Sequence, residues 1–384
     1  MATPIFACGA ECGVRLATGP HWASQAGTVS FDTGTVRSGL RSVRSNPTTA
    51  TGYFTSLAQA SSTDWVIRLY VRFTTLPSAS CAIVILATSG LGVYYKSSDS
   101  KLYAGSNTTN LGASGVAVTT GQWYRVDFKA TSTTADASID GTAVGQLAGS
   151  FSANTQFAVG VSTANATADL FIDDILISQT TADYPIGAGF VKSYIPNADG
   201  THNLVGGAND FERTLTNVAI TNSTTDAYDL INERPLPTTE VEFINAVAPP
   251  TTDWVEWEYE DSTEADPPRA VEALLIHHDA GGAGTNDWSV ILRYGGSSSP
   301  IWTGTTNVGS TITAKRTIFP TVPGTGGDAW TTTAFNALRS RFTVTDAAPD
   351  VYLDAAMLEA EFPEAVAAVA RVPRSTSYPQ LLAH

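Results

Sequence analysis

Disulfide frameworks, membrane spans and basic surface are all missing from this chain. Three cysteines in 384 residues cannot all pair with one another, and so few exclude a disulfide-stapled fold. No apolar run approaches the ~20 residues of a membrane-spanning helix. The opening MATPIFACGAECG lacks a basic region followed by a long apolar core, so no secretory signal is expected. Lys and Arg number 21 against 36 Asp and Glu, which leaves nucleic acid without the cationic surface that phosphate binding needs. The deficit is uneven: residues 1–184 hold ten basic and eleven acidic side chains, and residues 185–384 hold eleven and twenty-five. An acidic second half favours solubility and suits a basic neighbour in an assembly.

What is present is a globular composition, with 43% hydrophobic residues, enough for two or three cores. Long helical periodicities do not occur in the first half. Short runs of strand character separated by polar turns fall at 38–43, 64–73, 81–87, 92–96, 121–130, 133–139, 156–161 and 168–178, a spacing that predicts an all-β sandwich. In the second of these, Trp65, Ile67, Leu69 and Val71 alternate with Val66, Arg68, Tyr70 and Arg72. That alternation predicts one face on a core and one nearer water. Asp140-Gly141 after ASI reads as a tight hairpin turn. The run ADLFIDDILIS, apolar on both faces, is expected inside a sheet, with Asp173 and Asp174 near its exposed middle or rim.

The ordered set GTVSFDTGTVRSGLRSVRS, DWVIRLYVRF, GQWYRVDFKA, ADASIDGTAVG and ADLFIDDILIS resembles a laminin-G or concanavalin A-like jelly roll over residues 9–178. WYRVDF stands for the central strand and ASIDG for the hairpin after it. Domains of that kind bind carbohydrate or act as spacers, so the resemblance implies a fold more firmly than a ligand.

Hydrolysis of a glycosidic bond needs two carboxyl groups flanking it. Glu11 is the only Glu before Glu212. Adjacent Asp173 and Asp174 on a strand point to opposite faces, while Asp169 and Asp173 lie roughly 13 Å apart by strand rise. No catalytic residue is therefore assigned. No cofactor is expected; calcium is the cation weighed, at Asp32, Asp99, Asp140 and Asp173, which lack a ligand spacing. Candidate glycan or interface contacts are Tyr94, Tyr95 and Tyr103, whose rings can stack on sugars or pack in a core. Cys81 in CAIVIL reads as a buried free thiol. Cys8 and Cys12 are spaced for a small disulfide or for half a metal site, and a reduced, intracellularly assembled protein is the better fit.

The connector QTTADYPIGAG marks a boundary. Beyond it, strands are expected at 239–247, 253–260, 271–278, 288–294, 310–319 and 351–362, with one helix over 331–340. In DWVEWEYE, Val255, Trp257 and Tyr259 share one face. Trp254, Glu256, Glu258 and Glu260 share the other, an acidic outside on which Trp254 is a candidate contact. The alternating Asn197, Asp199, Thr201 and Asn203 do not meet calcium-loop spacing. His277 and His278 face opposite ways on a strand, which defeats chelation by the pair, and no nucleophile elbow accompanies Asp279.

SYIPNADGTHNLV, YDLINERP, DWVEWEYED, AVEALLIHHDA, GDAWTTTAFNALRSRF and VYLDAAMLEAEFP, in that order, resemble a β-sandwich of tailed-bacteriophage structural proteins over residues 187–363. Together the readings give an all-β chain with two β-sandwich domains. A concanavalin A-like jelly roll spans 1–182, a smaller virion-type sandwich with one short helix spans 187–363, and an arm or tail spans 364–384. The resemblance implies a non-enzymatic virion protein, a minor tail component or head decoration, assembled in the host cytoplasm. Its partners would be other virion proteins, further copies of itself and glycan, without nucleic acid or a membrane span. The alternative is a lectin-like or glycan-degrading protein unrelated to virions.

Overall fold

The computed structural model describes residues 4–11, 13, 21–204, 211–213, 218–220, 227–232, 243–246, 253–279, 286–306, 312–344 and 351–364. Cys12 and the tail beyond residue 364 lie outside them. The fold is all-β, four antiparallel sheets arranged as two sandwiches. In the first, a nine-stranded sheet runs through Thr142–Ala143, Thr134–Ile139, Trp123–Ala130, Trp65–Thr75, Asp169–Ser178, Ser42–Ser45 and Val29–Asp32, with Pro4–Cys8 and Leu147–Ala148 attached at its sides. A seven-stranded sheet faces it, in the order Val116–Ala117, Lys101–Gly105, Gly92–Lys96, Cys81–Leu86, Phe157–Ala166, Ala50–Ser56 and Trp22–Gly27. Between them lies a core in which the Trp22 ring meets Phe6, Phe54 and Phe157, and Phe6 meets Phe157. Cys81 is buried there as a free thiol, pushed up to about 12 by burial.

In the second sandwich a seven-stranded sheet contains Val218–Ala219, Phe211–Arg213, Ile244–Ala246, Val351–Pro363, Ala270–Asp279 and Thr313–Phe319, with Gly189–Tyr194 added along Val351–Pro363. The facing five-stranded sheet runs Pro196–Asp199, Val255–Tyr259, Arg339–Val344, Asn286–Tyr294 and Ser297–Thr306. Val255, Trp257 and Tyr259 enter the core as their alternation predicts. The expected helix over 331–340 is shorter, Thr332–Asn336, capped by the Thr331 hydroxyl accepting from Ala334 N–H at 3.0 Å. Beyond it RSRFTV alternates polar and apolar, and the two-residue period takes over as Arg339–Val344.

The nine-stranded sheet turns its outer face to the second sandwich. Trp65, Ile67, Leu69, Val71 and Phe73 point into the first core, but the opposite face of that strand is not near water: Val66, Arg68 and Tyr70 are buried as well. The Arg68 guanidinium donates to Glu361 Oε1 at 2.6 Å and to the Asp174 carbonyl. From the strand Pro4–Cys8, Ala7 N–H donates to Glu272 Oε2 at 2.7 Å. Glu272 is also held by Arg316 at 2.6 Å. Burial pushes Glu272 up, but Arg316 and His21 outweigh it and hold it below the ordinary carboxylate value. For Arg68 burial works downward, and Glu361 and Asp174 more than reverse it.

Asp169–Ser178 lies in the interior of its sheet, between Trp65–Thr75 on one side and Ser42–Ser45 and Pro4–Cys8 on the other. Its two aspartates correct the expectation of an exposed middle or rim, since both are buried. The pairing slips between Asp173 and Leu176, and Asp174 takes the left-handed conformation, φ 53°. This bulge resets the alternation: Leu170 and Ile172 precede it in the core, and Ile175 and Ile177 follow it there. The aspartates therefore leave the core together instead of facing opposite ways, and both meet the loop before Leu40. Asp173 accepts from Arg37 N–H at 2.8 Å, and Asp174 accepts from Arg37 Nη1 at 2.6 Å and from Val191 N–H of the second sandwich at 2.6 Å. Burial, with Asp174 adjacent, raises Asp173 well above the ordinary carboxylate value.

Candidate functional site

On the five-stranded sheet, the face away from the first sandwich carries a cleft of about 600 Å³. Its floor is set by strand register. Glu256 pairs across from Arg341 and Glu258 from Arg339, and Arg339 in turn pairs with Arg293 on the next strand. Side chains directly opposite on one face are close enough to interact, and here they form a lattice of ion pairs. Glu256 Oε2 accepts from Arg341 Nη2 at 3.0 Å and from Arg293, while Arg339 Nη2 meets Glu258 at 2.5 Å. Arginines from the neighbouring strands thus cover the outside, which is not acidic as expected. Glu256 is also deeply buried, at 1% exposed. Burial lowers Arg341 from the ordinary guanidinium value, and Glu256 opposes that shift.

Trp254 stands at the wall, half-buried. Its indole N–H donates to the Thr201 carbonyl at 3.1 Å, and the Arg341 guanidinium carbon sits 3.8 Å from its ring centre. The cleft therefore joins an aromatic edge to guanidinium and carboxylate groups fixed by one another, a surface that presents hydrogen bonds with little side-chain ordering left to lose.

The three candidate tyrosines do not belong to such a surface. Tyr94, Tyr95 and Tyr103 are 1%, 2% and 7% exposed. Tyr95 faces the first core against Phe73, with its hydroxyl on Ser100. Tyr94 and Tyr103 pair on the opposite face, where the segment 106–115 closes on them: a Cβ at Gly105 would meet Leu111 and Tyr94, and one at Gly115 would meet Tyr103. Their hydroxyls donate to the Gly90 carbonyl and to Asp99. Of the four candidates, only Trp254 reaches the cleft.

The aspartates weighed for calcium serve separate turns. Asp32 accepts from Gly34 and Thr35 N–H, Asp99 from Tyr103, and Asp140 from Arg125 N–H; Asp173 belongs to the bulge. Asp199 accepts from Ala227 and Tyr228 N–H and so pins a neighbouring segment. His277 packs on Trp288, and His278 pairs with Asp354 at 2.8 Å. Sequence reasoning missed Arg293, Arg339 and Arg341. The signal for the last two was the period-two alternation of RSRFTV.

No family model matches the chain, and no curated protein matches it. Among solved structures, the cellulose-induced protein Cip1 is 20% identical, covering 46% of this chain and 97% of its own, with a TM-score of 0.37. Domain 4 of an extracellular arabinanase from Geobacillus stearothermophilus, in complex with arabinotriose, is 17% identical over 43% of this chain and 83% of that one, with a TM-score of 0.32. The N-terminal CBM22-1-CBM22-2 tandem domain of Paenibacillus barcinonensis Xyn10C covers 94% of this chain and 98% of its own at 12% identity, with a TM-score of 0.28. Likenesses of this size assign the present chain neither a ligand nor an activity.

Proposed function

We propose that the chain is a glycan-binding protein whose ligand occupies the cleft beside Trp254 and carries an acidic group. The observation behind this is the cleft's composition. Three arginines, Arg293, Arg339 and Arg341, face two glutamates, Glu256 and Glu258, an excess of one positive charge on a chain whose formal charge is −15. A carboxylate or sulfate on a sugar would meet planar guanidinium donors there, with the indole edge for the ring.

The site is read as binding and not catalytic. One oxygen of Glu256 and one of Glu258 are engaged by guanidiniums, whereas glycoside hydrolysis needs a pair of carboxyl groups free to flank the bond. The test is an oligosaccharide array followed by calorimetry. Acidic glycans should be retained in preference to neutral ones, Trp254→Ala and Arg339→Ala should each weaken binding at least about tenfold, and added salt should weaken it further. An array without a single bound glycan defeats the proposal.

A second reading, attachment to a phage particle as a tail or decoration protein, is favoured by the ordered segments of residues 187–363 and by that resemblance alone. Absence of the protein from purified particles, together with sedimentation as a free monomer, would refute it.

A further inference from the structure

We propose that Cys8, His21 and Glu359 form a binding site for a zinc-class divalent cation at the joint between the two sandwiches. Among the described residues, one donor atom from each lies within 4.8 Å of the others, and all three side chains are buried. Cys8 and His21 come from the first sandwich and Glu359 from the strand Val351–Pro363 of the second. His21 Nε2 stands 3.9 Å from Glu359 Oε2. Nitrogen and oxygen ligands at ~2.0 Å from a tetrahedral centre are separated by about 3.3 Å, so closing on an ion requires a shift of roughly half an ångström.

The backbone after Cys8 turns back on its sulfur. Ala10 turns the chain in the left-handed conformation, φ 62°, and its N–H donates to Cys8 Sγ at 3.3 Å. The preceding N–H, of Gly9, donates to Glu359 Oε2 at 3.1 Å and orients that carboxylate toward the same point. Sulfur, imidazole nitrogen and carboxylate oxygen together are a donor set for zinc and not for calcium. The charges close as well. Binding expels the thiol proton, and one thiolate with one carboxylate neutralises a dication among buried side chains. Glu272 Oε1, 3.6 Å from His21 Nε2, already belongs to Arg316 and is not counted as a ligand. The site lies at the opposite side of the second sandwich from the cleft and does not depend on any glycan.

The experiment uses the full chain, stripped of metal under reducing conditions and titrated with Co²⁺. A near-ultraviolet thiolate-to-cobalt band should appear and saturate at about one equivalent, then vanish when Zn²⁺ displaces the cobalt. Cys8→Ser should abolish the band. The near-isosteric Glu359→Gln, checked for folding by near-ultraviolet circular dichroism, should weaken Co²⁺ binding by more than about tenfold. Zn²⁺ should raise the melting temperature of the wild type but not of Glu359→Gln. A wild-type chain that gives no band and holds no zinc by elemental analysis overturns the proposal, as does a band that survives Cys8→Ser.

Discussion

His277 should make the second sandwich sensitive to acid, and replacing it by Phe should remove that sensitivity. The imidazole is 1% exposed and lies 4.6 Å from the Trp288 ring, and neither of its nitrogens has a hydrogen-bond partner among the described residues. Burial, with Lys315 and His278 adding to it, lowers the group from 6.5 to about 3. Protonation is then far easier in the unfolded chain. Stability is full above the unfolded value and is lost as pH falls from 6.5 toward 3. One proton taken up on unfolding corresponds to about 1.4 kcal/mol per pH unit in that window, which integrates to about 2 kcal/mol between pH 7 and pH 5. Urea melts of the wild type and His277→Phe at both pH values isolate this contribution, because the remaining titrating groups are common to the two proteins. The wild type should lose about 2 kcal/mol more than the variant over that range. At pH 7 the variant should be no less stable, since it no longer buries two unpartnered nitrogens. Equal losses in the two proteins would show that the imidazole is not held neutral by burial.

Arg68→Met should cost about 3–5 kcal/mol by urea melt, because among the described residues it leaves buried Glu361 with Arg269, 3.6 Å away, as its remaining ion-pair partner, and adding Glu361→Gln should restore part of the loss; equal single and double mutants would refute the coupling. Gly39→Ala should destabilise by about 2 kcal/mol or more, since Gly39 has φ 64° and a Cβ there would stand 2.0 Å from Glu11 Oε1. At the bulge, Asp174→Asn should be tolerated better than Asp174→Ala in the same assay, because asparagine adopts the left-handed backbone at lower cost than alanine; equal losses in the two variants would place the cost in the lost charge alone.

The strand content was legible wherever a side-chain alternation ran unbroken, as in WVIRLYVRF and DWVEWEYE, because the pleat alone decides which residues enter a core. ADLFIDDILIS was legible as an interior strand for the same reason. Its aspartates were not, because alternation assumes an unbroken ladder and one left-handed residue at Asp174 reverses it. The tyrosines failed differently. Whether Tyr94 and Tyr103 meet water is decided by the segment 106–115 folding over them, and no local pattern carries that information. In the cleft, Glu256 and Glu258 were placed correctly on one face, but a short helix adjoining RSRFTV hid the arginines that pair with them. The joint was out of reach altogether, since Arg68 and Glu361 are 293 residues apart in the chain.

The face that the bulge builds also bears on how the molecule is made. Synthesis delivers the first sandwich before the second, and while it waits its outer face shows Arg68, Tyr70 and two aspartates, groups that water solvates readily. The second sandwich brings the greasier partner surface, with Leu274, Ile276, Ala355 and Met357 forming an apolar cluster on the same sheet as Glu272 and Glu359. That surface emerges when a finished template already stands beside it.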